Sequence, residues 1–135
     1  MRIDAALAGK TAIVTGGGRG IGEGIARVLA GEGANVVVMG RHASEVERVS
    51  QSIAAAGGSA LPVVADVTDW ASLQAMIAGA AERFGGVDIL VNNAGIEGPP
   101  RLLEDLPVEQ WDGVLGINLK GVFLCCKAVL PAMSA

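Results

Sequence analysis

A glycine-rich segment is the part of this sequence best suited to binding chemistry. It reads TGGGRGIG from Thr15 to Gly22, follows a short apolar run at 11–14 and opens a helix-like stretch at 21–30. A turn of this kind exposes backbone N–H groups, places no Cβ in the way of a ligand, and lies where the helix dipole favours negative charge. The segment therefore predicts a site for an anion such as a pyrophosphate.

The glycine spacing departs from the usual dinucleotide fingerprint. A dinucleotide-binding βαβ unit commonly has G-x-G-x-x-G after its first strand, whereas here Gly16, Gly20 and Gly22 follow G-x-x-x-G-x-G. The position between a strand and a helix still indicates such a unit. The alternative interpretation is that these glycines only form a tight turn.

Other polar residues follow later strand-like runs. Asp66 and Val67 come after the third run, and Asn92 and Asn93 come after the fourth. Two structural alternatives stay open at this point. Asp66 could simply precede a helix that begins at Thr68, and the two asparagines could be ordinary turn formers.

Strand-like and helix-like patterns alternate along the whole chain. The strand-like runs are 10–15, 35–39, 61–65 and 87–91, and the helical patterns are 21–30, 44–57, 68–84 and about 108–130. A capping box is predicted at Ser44 to Glu47, and Pro131 is predicted to end the last helix. This order predicts an α/β fold with a doubly wound parallel sheet, strand order 3-2-1-4, and helices on both faces.

Composition limits the class of protein. The 135 residues suffice for one domain, and 51% of them are hydrophobic while only 3% are aromatic, as expected for strands covered on both faces. The net charge of −4 argues against nucleic acid or an anionic membrane as the main partner. No apolar run at the N-terminus fits a signal peptide, and charged or polar residues interrupt the apolar run at 114–133. We therefore expect a cytoplasmic protein.

No metal site is expected. Cys125 and Cys126 are adjacent, so on a helix they point to different faces, and His42 is the sole histidine. Buried thiols are the favoured interpretation of the cysteines.

The motifs together resemble the short-chain dehydrogenase/reductase family. That family has T-G-x-x-x-G-x-G after strand one and N-N-A-G after strand four, and this sequence has both, at 15–22 and 92–95. The Asp66-Val67 pair and Asn118 match two further motifs. The resemblance runs from Gly9 onward. It implies that residues 1–135 form a single NAD(P)-binding Rossmann-like domain, truncated and so incomplete at its C-terminus.

The resemblance also implies roles for individual residues. The phosphates and ribose of the cofactor would be held by the glycine segment, Asp66 would hydrogen-bond the adenine beside Val67, and the residues after strand four would line the nicotinamide half. Asn118 is the helical asparagine of the family's catalytic site. The implied cofactor-binding residues in the first and last of these groups are Gly16, Gly18, Arg19, Gly20, Ile21, Gly22, Asn93, Ala94 and Gly95.

The end of strand two favours NADP(H) over NAD(H). NAD enzymes place a carboxylate there for the ribose 2′-hydroxyl, whereas this chain has Gly40, Arg41 and His42. The guanidinium of Arg41 could pair with a 2′-phosphate, and Arg19 could add a second charge. The alternative is that Arg41 is an ordinary solvated arginine.

The family's acid/base residues are missing. The implied reaction is hydride transfer between a nicotinamide and a small-molecule carbonyl or alcohol, with a serine and a Tyr-x-x-x-Lys motif beside the asparagine. This sequence contains no tyrosine. We therefore expect an oxidoreductase by family whose 135-residue chain is inactive alone. The alternative is a non-catalytic dinucleotide-binding or interaction module. The wide apolar surface of the last helix predicts a homo-oligomer.

Overall fold

The computed structural model describes residues 5–134. Residues 1–4, on which part of the signal-peptide expectation rests, and residue 135 lie outside the described residues. The strands are β1 (Thr11–Thr15), β2 (Asn35–Gly40), β3 (Ser59–Val64) and β4 (Ile89–Val91). The helices are α1 (Gly20–Gly31), α2 (Ala43–Ala55), α3 (Trp70–Phe84), α4 (Val108–Leu115) and α5 (Gly121–Met133), with a 3₁₀ turn at Leu103–Asp105 and a π-helical turn at Gly116–Lys120.

The strands form one parallel sheet in the order β3-β2-β1-β4, which confirms the predicted order. Ile13 of β1 lies opposite Val37 of β2 on one side and Leu90 of β4 on the other. The pairing of β1 with β4 begins before β4 itself. The Asp88 amide donates to the Thr11 carbonyl at 2.9 Å, and the Asp88 carboxylate accepts from the Thr11 amide at 2.8 Å.

Apolar side chains leave both faces of the sheet, and helices cover both. In β2 the side chains alternate, so Val36 and Val38 pack toward α1 and α2 while Val37 and Met39 pack toward α3 and α5. All four are essentially inaccessible to solvent. The continuous β-branched run in β2 is therefore explained by burial on both faces, as the sequence predicted.

Two predicted helix starts are wrong. α2 begins at Ala43 after His42, and no side chain caps it, so Ser44 to Glu47 is not a capping box. α3 begins at Trp70, where the Asp69 carboxylate accepts from the Ala71 amide at 3.2 Å. Thr68 lies outside the helix because its amide and its hydroxyl both donate to Asp66 Oδ1 and close a turn there.

The predicted end of the last helix is also wrong. α5 continues through Pro131 to Met133. Proline removes only its own N–H, and near the end of a helix this costs one backbone hydrogen bond. The Ser134 amide still donates to the Leu130 carbonyl at 3.0 Å. The helical pattern predicted from about residue 108 is confirmed as one helix over Val108–Met133, which contains a π-helical turn at Gly116–Lys120.

The stretch Val108–Met133 carries more apolar surface than the sheet can cover. Gly121, Cys125 and Val129 are buried against the core, whereas Leu119 and Phe123 are 67% and 60% exposed. By length and composition this 26-residue stretch also qualifies to cross a membrane, because an 18-residue window within it has a mean hydropathy of 1.6. The sequence-based expectation that charged and polar residues exclude a membrane span in this stretch is therefore wrong by the criteria of length and composition. In this fold, one face of the stretch packs on the sheet.

Candidate functional site

A cavity of about 310 Å³ lies at the carboxyl ends of all four strands. Its wall is formed by the segments that follow each strand, which is where ligands bind in open parallel sheets. Its volume falls at the lower end of the range for small-molecule sites. The lining residues are Gly16, Gly18, Arg19, Gly20, Met39, Gly40, Arg41, His42, Glu45, Ala65, Asp66, Val67, Asn93, Ala94, Gly95, Ile96 and Ile117.

The glycine segment forms a cradle that side chains would fill. Gly16 and Gly20 have φ of +64° and +58°, a region that side-chain-bearing residues rarely adopt. A Cβ on Gly22 would overlap the Gly16 carbonyl oxygen and the Asn93 amide nitrogen, and a Cβ on Gly18 would lie 2.9 Å from that of Glu45. The turn is therefore held close to α1 and α2 while its outer surface faces the cavity.

Asn93 ties the glycine turn to the end of β4. Its side-chain nitrogen donates to the carbonyls of Thr15 and Gly16 at 3.1 and 3.0 Å. The Thr15 hydroxyl accepts from the amides of Asn93 and Ala94, both at 3.0 Å, and donates to the Val91 carbonyl at 3.3 Å. The side chains of Asn93 and Thr15 therefore shape the site through the backbone that they hold.

A second set of contacts holds the turn from the other side. Glu23 of α1 accepts hydrogen bonds from Arg27 at 2.7 Å and from Arg48 of α2 at 2.8 Å. Arg48 also donates to the Gly18 carbonyl at 3.1 Å. Hydrogen bonds from Arg48 and Arg27 lower the pKa of Glu23 to about 2. This cluster joins α1, α2 and the glycine turn through one carboxylate.

Asp66 lines the cavity and also forms a turn. Its Oδ1 accepts from the Thr68 amide at 2.8 Å and from the Thr68 hydroxyl at 2.7 Å. These hydrogen bonds, helped by the positive charge of Arg41, lower the pKa of Asp66 below its usual value. Both interpretations of Asp66 from the sequence are therefore compatible with its position, since it closes a turn ahead of α3 and faces the cavity.

Asn118 lies in the π-helical turn and contacts the segment after β4. Its side-chain oxygen accepts from the Ile96 amide at 2.8 Å, and its nitrogen donates to the Ile96 carbonyl at 2.7 Å. A Cβ on Gly95 would lie 3.2 Å from the same oxygen. Asn118 thus fixes the backbone at Gly95 and Ile96, and its side chain does not line the cavity.

The structure brings most of the predicted residues to this one cavity. Three of them do not line it: Ile21, which is 78% exposed, Gly22, which is packed beneath the turn, and Asn118. The remaining predicted residues all line it, namely Gly16, Gly18, Arg19, Gly20, Arg41, Asp66, Val67, Asn93, Ala94 and Gly95.

Sequence reasoning missed several lining residues. Met39, Ala65, Ile96 and Ile117 are apolar, and no residue type or spacing distinguishes them from core residues. Glu45 could have been found, because it lies in the first turn of the helix after strand two. Sequence reasoning also assigned no role to the hydroxyl of Thr15, although Thr15 is the T of the T-G motif.

The cysteines differ in their surroundings. Cys125 is fully buried, and burial raises the pKa of its thiol to about 11. Cys126 is half-buried, and its Sγ accepts from the side chain of Asn92 at 3.5 Å. Among residues 5–134, no three His, Cys, Asp or Glu side chains lie close enough to hold a metal ion.

Comparisons with known proteins agree with this architecture. The model of the short chain dehydrogenase family matches residues 10–135. The chain is 46% identical over 127 residues to the oxidoreductase UcpA of Salmonella typhimurium, covering 94% of this chain and 48% of that protein. It is 44% identical over 126 residues to the D-beta-hydroxybutyrate dehydrogenase of Rhizobium meliloti, covering 92% and 48%.

A solved structure gives the same result. A short-chain type dehydrogenase/reductase from Mycobacterium marinum superposes with a TM-score of 0.90 at 38% identity, over 94% of this chain and 51% of that one. The chain thus spans about half the length of the relatives that it matches.

Gly22→Ala tests whether the glycine turn is packed as tightly as the structure indicates. The added methyl group would meet the Gly16 carbonyl and the Asn93 side chain, so we expect a loss of about 2 kcal/mol in the free energy of unfolding. Gly24→Ala is the matched control, because a Cβ there meets nothing within 4 Å. It should stabilise the helix by about 0.5–1 kcal/mol. Urea titrations measure both, and equal effects would contradict this packing.

Glu23→Gln tests the cluster that joins α1, α2 and the glycine turn. The pKa of Glu23 is lowered from 4.5 to about 2 in the folded chain, so its stabilisation is complete above pH 4.5 and is lost as the pH falls toward 2. We expect the variant to be less stable by about 1 kcal/mol at pH 7, with a smaller difference at pH 3. Glu47→Gln removes the same charge from an exposed site as the control. A difference for Glu23→Gln that is equal at both pH values would contradict this role.

Proposed function

The chain belongs to the short-chain dehydrogenase family, and we propose that it forms the cofactor-binding half of an NAD(P)-dependent oxidoreductase. The observation that carries this proposal is the cavity at the carboxyl ends of the strands, with the glycine cradle as one wall. When bound there, a nicotinamide dinucleotide would supply a hydride acceptor or donor for a carbonyl or alcohol carbon.

The residues present fit a dinucleotide. The turn at Gly16 to Gly20 has no Cβ on its cavity side except that of Arg19, so backbone amides at the start of α1 can meet a pyrophosphate. Asp66 and Val67 form the wall between the ends of β3 and α3, where we place the adenine. Asn93, Ala94 and Gly95 form the opposite wall, where we place the nicotinamide half.

NADP(H) is the proposed cofactor. Arg19 and Arg41 both line the cavity and both are exposed, so either guanidinium can reach an added phosphate. The position that carries a carboxylate in NAD enzymes is Gly40 here, and packing offers a second reason for this glycine. A Cβ on Gly40 would lie 3.0 Å from Cγ1 of Val46.

The proposed role of Asn118 is positioning. It holds Ile96 through two hydrogen bonds, and Ile96 lines the cavity on the side where we place the nicotinamide. The sequence contains no tyrosine to act as the acid/base group. We therefore propose that this half binds the cofactor, while the acid/base chemistry on a small carbonyl or alcohol substrate requires residues that the 135-residue chain does not supply.

We further propose that the exposed side of the Val108–Met133 stretch contacts a second copy of the chain. Leu115, Leu119 and Phe123 are exposed and border the same shallow groove, and Leu130 is exposed further along α5. Exposed apolar patches of this kind mark interfaces. We also propose a cytoplasmic location, on the ground that one face of this stretch packs on the sheet, where Gly121, Cys125 and Val129 are buried.

Arg41→Met tests the choice of cofactor. Losing the guanidinium should raise the Kd for NADPH about tenfold, the scale of one charge-assisted hydrogen bond, and leave the Kd for NADH within about twofold. Fluorescence titration of the 135-residue chain measures both constants. Arg83→Met is the charge-matched control, because Arg83 lies in the last turn of α3 against Phe84. An equal rise in both constants would contradict a role for Arg41 in choosing the cofactor.

Turnover by the chain distinguishes a cofactor-binding half from a complete enzyme. We expect the 135-residue chain to bind NADPH and to show no NADPH consumption with generic aldehydes and ketones above a buffer control. General acid–base catalysis contributes about 10²–10⁴-fold in enzymes, and this chain lacks the tyrosine. Measurable turnover would contradict the proposal that this chain is only the cofactor-binding half. A chain that binds neither NADPH nor NADH would contradict the proposed function as a whole.

A further inference from the structure

Glu45 is a carboxylate in the wall of the cavity that the proposed function leaves without a role. It lies in the first turn of α2, is half-buried, and lines the cavity together with Gly18, Arg41 and His42. We propose that Glu45 is a specificity-determining residue, whose carboxylate accepts hydrogen bonds from the ribose hydroxyls of the adenosine half and disfavours a 2′-phosphate. This inference rests on the proposed cofactor site.

The geometry holds Glu45 against the glycine turn. A Cβ built on Gly18 would lie 2.9 Å from Cβ of Glu45 and 3.4 Å from its Oε2. The Glu45 amide donates to the His42 carbonyl at 3.2 Å, which fixes the backbone at the start of α2. The carboxylate is therefore close to the turn where we place the cofactor's phosphates and ribose.

The Glu45 carboxylate has no hydrogen-bond donor within the part of the chain that the structure describes. Among residues 5–134, its carboxylate accepts no hydrogen bond and pairs with no cation within 4 Å. Arg48 lies one turn further along the same helix, where its positive charge interacts with Glu45 through space, but its hydrogen bonds go to Glu23 and to the Gly18 carbonyl. The two neighbouring carboxylates thus differ: Glu23 is saturated by two arginines, and Glu45 faces the cavity.

Charge and hydrogen bonding predict opposite effects of Glu45 on the two cofactors. A ribose with free hydroxyls can donate to a carboxylate, and such charge-assisted hydrogen bonds are stronger than neutral ones. A 2′-phosphate has no such donor and carries negative charge toward a negative side chain. Glu45, in the first turn of α2, would then accept hydrogen bonds from the ribose hydroxyls. In NAD enzymes a carboxylate directly after β2 has that role. A side chain at Gly40 would require Val46 to move by a few tenths of an ångström, since a Cβ there would lie 3.0 Å from Cγ1 of Val46.

A purely structural role for Glu45 predicts a different outcome. An acidic residue in the first turn of a helix interacts favourably with the helix dipole, and Glu45 is the acidic residue in the first turn of α2. Loss of that interaction would lower the stability of the helix and change the affinity for both cofactors equally. The ratio of the two affinities therefore separates specificity from structural support.

Glu45→Gln tests the proposal, with Glu47→Gln as the matched control. Glutamine keeps the size of the side chain beside Gly18, and Glu47 is exposed on the same helix outside the cavity wall. Titrations of the 135-residue chain with NADPH and with NADH at fixed ionic strength give the ratio of the two Kd values. We expect Glu45→Gln to shift the ratio toward NADPH by about fivefold, the scale of one partly exposed charge interaction, and Glu47→Gln to leave it unchanged.

Three other outcomes would contradict the role of Glu45 or the cofactor site itself. An unchanged ratio in Glu45→Gln, or an equal shift in both variants, overturns the role of Glu45 while leaving the cofactor site intact. If the unaltered chain binds neither nucleotide, the proposed function fails and this inference fails with it. Unfolding titrations of the two variants, run alongside, show whether lost stability accounts for any change in affinity.

Discussion

The candidate site depends on the joint between the ends of β1 and β4. There, the Asn93 side chain donates hydrogen bonds to the carbonyls of Thr15 and Gly16. The Thr15 hydroxyl in turn accepts hydrogen bonds from the backbone amides of Asn93 and Ala94. These hydrogen bonds satisfy backbone groups where the ladder between the strands has ended, and buried polar groups of this kind are costly to leave unpaired. The joint sets the position of the glycine turn relative to the segment after β4, and so it sets the two walls of the cavity.

The glycine at position 22 belongs to the same constraint. Because the Gly16 carbonyl points at the first turn of α1, no side chain fits there, and the Asn93 amide occupies the remaining space. On the other side of the turn, Arg48 holds the Gly18 carbonyl and is itself held by Glu23. The turn is thus fixed from the sheet by neutral hydrogen bonds and from the helices by charged ones. A cradle fixed from both sides is ordered before a ligand arrives, which reduces the entropy cost of binding.

The sequence predicted the parts of this structure that follow from local pattern. Strand order, helices on both faces and the convergence of the glycine turn with Asp66 and Asn93 all follow from alternating β and α patterns and from motifs at element ends. The errors occur at helix ends, where a few local hydrogen bonds decide the boundary. Asp66 captures Thr68 and delays α3, and the backbone at His42 starts α2 one residue before Ser44. Contacts between distant elements, such as those of Arg48 with Gly18 and Glu23, carry no pattern within one sequence.

The same distinction explains why cofactor choice is difficult to read from sequence. Along the chain, NADP(H) is favoured by two single positions: Gly40, which carries no carboxylate, and Arg41, which carries a guanidinium. The cavity, however, collects charges from several elements, and Glu45 reaches it from a helix turn five residues beyond Gly40. A ligand experiences the sum of these charges at its own distances from them. In the proposed site, the preference between NADP(H) and NAD(H) would therefore depend on Arg19, Arg41 and Glu45 together. Glu45, which joins this wall only in the folded chain, would oppose the effect of Arg41.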